Sequence, residues 1–374
     1  MRIALVAPLV SAIAQPFLGG AQALLADLAQ GLVRRGHAVT LFARDDSSVP
    51  GVRIEPITVP QSVRPANFAE PSHESPADAG FFAQANLFFE LFLSLRRRSA
   101  EFDLIHAHAF DWPAFACSAL VYEIPVLHTL HLPALSPEIN GALRVLHQQG
   151  HAITLVTVSH ACAMTYAGYT SIDYVIYNGL DVSTIPFTAS ASAEAPLLFA
   201  GRIAPEKGVE AAIEIAHRAG RHLLLAGGIY DHAYYEARIA PLLQRENSLV
   251  TYLGLLERDK LWETMSRSAG LLFPIEWDEP FGLAAVEAMA TGTPVIAFRR
   301  GAAVEVIRQG ETGFLVEPGD RVQAAALVDK LMDIPRVQCR RHVEEHFALE
   351  RMLDEYEQVY KEVKHHTNPR TVIK

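Results

Sequence analysis

Short blocks of consecutive apolar residues punctuate the chain, and longer amphipathic stretches separate them. The first block, Ile3–Ala7, runs into a loop at Pro8–Leu18 and the pair Gly19-Gly20. A helix then extends to about Arg35, Gly36-His37 ends it, and a second block follows at Val39–Ala43. Strands without alternation are strands buried on both faces, and strand–helix–strand order makes the sheet parallel. An amphipathic helix is expected over Phe81–Arg98, with its Arg96-Arg97-Arg98 run as a solvated end. Further blocks stand at Phe102–His108, Ile124–Thr129, Ile153–Ser159 and Val175-Ile176.

The pattern then restarts. Leu197–Ala200, Leu223–Ala226, Val250–Leu253, Gly270–Phe273, Val295–Phe298 and Gly313–Val316 read as strands. Helices are expected between and after them at Val209–Ala219, Tyr234–Leu243, Asp259–Ser266, Leu283–Ala290, Val322–Asp333 and Glu350–His365. The fold class is therefore α/β, with two doubly wound, Rossmann-like domains. The low-complexity stretch Thr188–Ala195 reads as their linker, which places the domains at residues 1–185 and 195–348. Residues 349–374 form a long amphipathic C-terminal helix, expected to cross back and brace the first domain. Pro56–Gly80, rich in Pro, Ser, Ala and acids, reads as a mobile surface loop.

Bulk properties remove several functions. A net charge of −10 argues against a general nucleic-acid binder. Cys117, Cys162 and Cys339 are far apart and form no CxxC, as expected of reduced thiols in a cytoplasmic protein. No apolar run reaches the roughly 20 residues of a membrane span, which leaves only a peripheral membrane contact open. The N-terminus reads as a first strand and not as a signal peptide.

Candidate chemistry gathers at strand ends. Gly19-Gly20 before a helix admits close approach of a ligand, and free amides there favour an anion; the same pair also serves a tight turn. His106 and His108 end one strand and His128 and His131 the next, with Asp111-Trp112 close behind the first. With no Cys or acid cluster nearby, no metal site is expected. Arg202 and Lys207 follow a strand around Pro205, a guanidinium and an ammonium suited to a diphosphate, or else a surface pair. Glu279 precedes a helix, and Glu287 lies about two turns later among Ala, Val, Leu and Met. A glutamate buried there needs hydrogen-bond partners, which sugar hydroxyls can supply; the alternative is a helix-start acid and a solvated helix residue.

Taken jointly, these segments carry a resemblance. LLFAGRIAPEKGVEAAI, LAGG, YLGLLERDKLWETM, LLFPIEWDEPFGLAAVEAMATGTPVIAFRRG and EVIRQGETGFLVEPGD resemble the C-terminal domain of the retaining, GT-B-fold glycosyltransferases of family 4. Gly19-Gly20, DLIHAHAFDW, VLHTLH and YNGLD fit its N-terminal half. The resemblance implies two domains facing a cleft and transfer of a hexose from a nucleotide sugar to a hydroxyl acceptor. Arg202 and Lys207 match the pair that holds the donor diphosphate. Glu279 and Glu287 match the E-x7-E motif, the first on sugar hydroxyls and the second on the ribose. Phe281, Gly282 and Leu283 match backbone-amide donors, Gly19 and Gly20 the diphosphate loop, and Gly254 and Leu256 the base-binding stretch. His108 matches the histidine near the reacting sugar, with His106 and His131 as competitors; His131 and Asp111 are the expected acceptor contacts. Gln22 stands where the family commonly has Glu.

No D-x-D occurs, so the sequence requires no divalent cation, and no cofactor is expected beyond a UDP-sugar donor. UDP-glucose is the expected donor, with GDP-mannose as runner-up. A small molecule is the expected acceptor, because no strongly apolar surface helix is apparent; a lipid-linked or polysaccharide acceptor is the alternative. An epimerase or phosphorylase of the same architecture remains open. A dinucleotide oxidoreductase does not fit, because GxGxxG is missing.

Overall fold

The computed structural model describes residues 1–17, 19–60, 77–149, 153–245 and 248–366. The chain divides into two compact units: Met1–Ala14, Ala21–Tyr177 and Leu349–Lys374 form one, and Gln15–Gly20 with Asn178–Ala348 form the other.

The first unit is built on a seven-stranded parallel sheet. Its strands are β1 (Arg2–Val6), β2 (Ala38–Arg44), β3 (Arg53–Ile57), β4 (Leu104–Ala107), β5 (Val126–Leu130), β6 (Ile153–Thr157) and β7 (Tyr174–Val175), in the order β3-β2-β1-β4-β5-β6-β7. Every residue of β4 and β5 is buried, as expected of central strands covered on both faces. One core layer packs Phe88, Phe92 and Leu95 of the helix Ala77–Arg97 against Val6, Phe42 and Ile105. Another joins Phe115, Leu130, Leu143 and Tyr166.

The second unit repeats the plan with six parallel strands: β8 (Leu197–Ala200), β9 (Leu223–Ala226), β10 (Val250–Gly254), β11 (Gly270–Phe273), β12 (Val295–Phe298) and β13 (Gly313–Val316). Their order is β10-β9-β8-β11-β12-β13. In both sheets the order reverses beside the first strand of the unit. That reversal opens the crevice at the strands' carboxyl ends where doubly wound sheets take ligands.

Several elements differ from expectation. β3 was not expected, and its last two residues, Pro56-Ile57, overlap the stretch read as a loop; the helix Ala77–Arg97 starts within that stretch, and residues 61–76 lie outside the described residues. The helices Pro137–Gln148, His160–Thr165 and Arg336–His346 were not expected. Ser136 and Ser159 cap the first two, accepting from Ile139 N and Cys162 N. The helix expected over Tyr234–Leu243 is interrupted by a π turn at Tyr235–Ile239, just before Pro241. The Arg96–Arg98 run is not simply solvated: Arg96 pairs with Glu123 and lies over the Tyr122 ring, and Arg98 pairs with Glu55 and Glu101.

The chain passes between units at Tyr177–Asn178, before the low-complexity stretch. Tertiary hydrogen bonds decide this. Leu180 N donates to Phe347 O, and the Arg340 guanidinium donates to the carbonyls of Val182, Ile185 and Ala290. Residues 178–185 are thereby tied to the second unit, and Thr188–Ala195 is a surface segment within it.

Candidate active site

In the second unit the loop after β8 carries Arg202 and Lys207. Lys207 ends a 3-10 turn at Pro205–Lys207, and Gly208 follows with φ +71°. A Cβ on Gly208 would stand 1.9 Å from the carbonyl oxygen of Pro274, so only glycine lets this turn close against the end of β11. Glu276 N donates to Glu206 O at 3.0 Å across the same seam. These bonds bring the loop after β8 to the acidic loop after β11.

The side chains meet there. Lys207 Nζ donates to Glu279 Oε2 at 2.6 Å, and Trp277 Nε1 donates to the same oxygen at 2.6 Å. The ammonium also lies 4.9 Å over the Trp277 ring. The Lys207 and Glu279 side chains are 12% and 13% exposed, largely shielded with a narrow face left to solvent. Both donors use one carboxylate oxygen, and no partner is found for Oε1 among the described residues. Arg202 takes a different partner set: its guanidinium stacks 4.3 Å over Tyr230 and lies 3.4 Å from Glu206. The backbone of Glu279 is pinned as well, its carbonyl accepting from Ala302 N at 2.9 Å.

Gly282 opens the helix Leu283–Ala290 at φ +90°, where a Cβ would come within 3.2 Å of the Phe273 ring. The first amides of a helix have no intrahelical acceptor, so those of Leu283 and its successor are placed to donate outward. Phe281 is buried and packs edge-on against Phe347, 5.7 Å between centroids, which anchors the turn. Glu287 is 7% exposed, which excludes a solvated helix residue. Trp262 Nε1 donates to its Oε1 at 3.2 Å, and Arg258 Nε lies 3.5 Å away. Gly254 ends β10 at φ +73° and accepts from Gly227 N, and Leu256 follows half-buried.

In the first unit the histidines cluster at the ends of β4 and β5. The register pairs Ala107 with His128. His108 Nδ1 lies 2.8 Å from His131 Nε2, so one ring donates to the other. His106 is spent structurally: Nδ1 meets the Tyr360 hydroxyl at 2.7 Å and Nε2 meets Thr129 Oγ1 at 2.8 Å, while Tyr356 reaches the same threonine. His108 Nε2 and both ring nitrogens of His128 are buried without a partner. Burial holds all four rings neutral, pulling His131 down to about 4, His128 to about 3, and His106 and His108 well below the ordinary range. Asp111 is half-buried and receives Gln84 Nε2 at 2.8 Å; burial nonetheless raises its carboxyl to about 6. Gly19 and Gly20 stand where the loop after β1 enters the helix Gly20–Arg34, and Gln22 donates to Ser11 Oγ at 2.7 Å.

The structure thus gathers Lys207 with Glu279, and His108 with His106 and His131. Four partners escaped the sequence reading: Trp277, Trp262, Arg258 and Tyr230. Trp277, two residues before Glu279, had a local signal; Trp262, 25 residues before Glu287, had none. The helix Ala77–Arg97 also corrects an expectation, because Phe81, Phe82 and Phe89 on it are exposed. Phe81 lies 6.1 Å from Trp112, itself 39% exposed.

Comparison with known proteins bears on this geometry. The family model for glycosyl transferases group 1 matches residues 185–346, and that for glycosyltransferase family 4 matches residues 18–184. A glycogen synthase of Mycobacterium tuberculosis is 29% identical over 360 residues, covering 87% of this chain and 85% of its own. Sucrose-phosphate synthase (tll1590) from Thermosynechococcus elongatus superposes with a TM-score of 0.78 at 21% identity, over 97% of this chain and 99% of that one. Anabaena Alr3699/HepE in complex with UDP-glucose gives 0.72 at 19% identity, over 97% and 100%. Among the described residues no helix is long and apolar enough to cross a membrane.

Proposed function

Starting from a chain that belongs to glycosyltransferase family 4 and has the GT-B fold, we propose a retaining hexosyltransferase. It moves a hexose from a nucleotide sugar, UDP-glucose in the first instance, to the hydroxyl of a small-molecule acceptor. The observation that carries this reading is the convergence of Lys207 and Trp277 on Glu279 Oε2, which leaves Oε1 to a ligand. A carboxylate held on one side and open on the other suits sugar hydroxyls. An ammonium beside it suits the diphosphate to which that sugar is joined.

In this reading Lys207 and Arg202 hold the diphosphate, and the amides at Gly282-Leu283 and at Gly19-Gly20 add donors. Glu287 takes the ribose, and Gly254–Leu256 the base. The bond from the anomeric carbon to the leaving phosphate oxygen breaks, and negative charge collects on the diphosphate. Fixed positive charge lowers the barrier to that departure. The acceptor oxygen bonds to the same face of the anomeric carbon, and its proton passes to the departing phosphate. Glu287 is buried and engaged by Trp262, so a two-carboxylate hydrolytic mechanism gains no support. His108, held neutral, serves as a hydrogen-bonding group toward the sugar, and His131 and Asp111 serve the acceptor. No cofactor beyond the donor is invoked.

A second reading of the acceptor rests on the exposed Phe81, Phe82, Phe89 and Trp112. Such a patch favours an acceptor with an apolar portion, including a lipid-linked one. The likeness to UDP-glucose-bound HepE supports UDP-glucose, and the likeness to a glycogen synthase supports a glucan acceptor. The test is a donor-hydrolysis screen over UDP-, GDP- and ADP-sugars without acceptor, followed by acceptor trials with the donor that turns over. Slow release of UDP and glucose from UDP-glucose is expected, and Lys207→Ala and Glu279→Ala each cut it by about 100- to 1000-fold in folded protein. Unchanged turnover in both variants removes the assignment; preference for GDP-mannose changes the donor and keeps the class.

A further inference from the structure

Each glutamate of the pair is held by the same device, an indole N–H together with a cation lying over that indole. For Glu279 the donor is Trp277 Nε1 at 2.6 Å, and Lys207 Nζ shares the oxygen and sits 4.9 Å over the ring. For Glu287 it is Trp262 Nε1 at 3.2 Å, with Arg258 Nε at 3.5 Å from the same oxygen and its guanidinium 4.6 Å over the ring. The second set is deeply buried, Trp262 being 5% exposed, and it fixes a helix residue in place. The first sits on a loop, its charged pair shielded to about the same degree, and one of its members has a competing use.

That competition gives Trp277 its role. An ammonium is a mobile point charge, and a diphosphate draws it more strongly than a single carboxylate does. When Lys207 turns to the diphosphate, Glu279 loses a charge-assisted partner. The indole N–H is neutral, points in one direction and has no reason to follow. We propose that Trp277 is a positioning residue for the donor sugar: it keeps Glu279 Oε2 anchored, so that Oε1 meets the hexose hydroxyls while Lys207 serves the diphosphate. This rests on the donor reading above.

The test separates the sugar from the nucleotide. Calorimetric titration with UDP and with UDP-glucose gives the affinity the hexose adds, in wild type, Trp277→Phe and Trp277→His. Loss of one hydrogen bond to a charged group predicts that Trp277→Phe lowers the added affinity, and kcat/KM with it, by roughly 10-fold. UDP alone should bind within about twofold of wild type, and Trp277→His, which keeps a ring N–H, should recover part of the loss. A loss shared equally by UDP and UDP-glucose, or no loss, overturns the proposal. A second measurement needs no stable variant. In 15N-tryptophan-labelled wild type, the Trp277 indole signal should remain shifted downfield when UDP-glucose saturates the protein. Its return to the solvent position overturns the proposal. If the wild type gains no affinity from the sugar in the UDP-glucose, GDP-mannose or ADP-glucose pairs, the donor reading itself falls and this inference falls with it.

Discussion

The loop around Glu279 and the histidine group at the ends of β4 and β5 solve the same problem by opposite means. Both place polar side chains at the carboxyl edge of a parallel sheet. The first uses full charges, Lys207 against Glu279, largely shielded and each stabilised by the other. The second uses neutral rings, three of them buried and His131 half-buried; His106 is satisfied by Tyr360 and Thr129, while His108 and His128 carry unpartnered nitrogens. A paired charge survives partial burial because each ion replaces part of the other's hydration. An imidazole buried without a counter-ion escapes the same penalty by giving up its proton. The lesson is that one region stores electrostatic energy a ligand can exchange into, and the other stores desolvation that a falling pH releases.

Four measurements sharpen or break that contrast. The largest effect is expected at the charged loop: Glu279→Ala or Lys207→Ala should lower kcat/KM by about 100- to 1000-fold, the scale of losing one preorganised donor to developing charge. The melting temperature should fall as well, because removing one partner leaves the other ion unpaired in a largely buried place. Unfolding of either variant at ambient temperature would show the pair to be structural. Next, Trp262→Phe should cost about 2–3 kcal/mol in urea unfolding, since it strips a donor from the buried Glu287 carboxylate. An unchanged midpoint would mean that Arg258 suffices.

Third, Tyr360→Phe should cost about 1–2 kcal/mol, because a buried His106 nitrogen loses its partner. Wild-type stability in that variant would sever the C-terminal helix from the histidine group. The fourth measurement is the pH dependence. The histidine values are depressed in the folded state, so the unfolded chain takes up protons first as pH falls. Stability is complete above the ordinary histidine value near 6.5 and declines as pH drops toward about 4 for His131 and about 3 for His128. Each group contributes at most about 1.4 kcal/mol per pH unit. Asp111 runs the other way: its raised value, about 6, penalises the fold above that pH and relaxes as pH falls toward 3.8. Replacing His128 by Phe should flatten the acid limb; an unchanged slope would show that His128 is already protonated or exposed in the native protein.

Both parallel sheets and most of their strands could be read directly from the apolar blocks, because strands buried on both faces need no alternation. Of the helices missed, Pro137–Gln148 carries a plain stripe, Ile139, Leu143 and Leu146, that could have announced it; Arg336–His346 carries none, because Arg336 and His342, charged or polar by type, are buried within it. Arg336 achieves this by donating to three carbonyls and to Thr293. No local pattern announces such a residue. Tertiary contacts change sides at Tyr177–Asn178, a few residues before the 184/185 junction of the two family models; a low-complexity stretch marks a tolerant surface and not where contacts change sides.

Within the site, Glu279, Glu287, Arg202, Lys207 and Gly282 stood out by spacing, since chemistry on a strand–loop–helix unit depends on neighbours in the chain. Their holders did not. Trp262 reaches Glu287 from a helix 25 residues earlier, and Tyr360 reaches His106 across 254 residues. The sequence by itself determined the two wound sheets, the edge at which polar residues collect and the charged pairs that suit a diphosphate sugar. Only the tertiary structure decided which carboxylate oxygen is occupied, which histidine is spent on packing and which aromatic rings are exposed. Periodicity and spacing act along the chain, whereas hydrogen-bond satisfaction and burial depend on which distant side chains folding brings together.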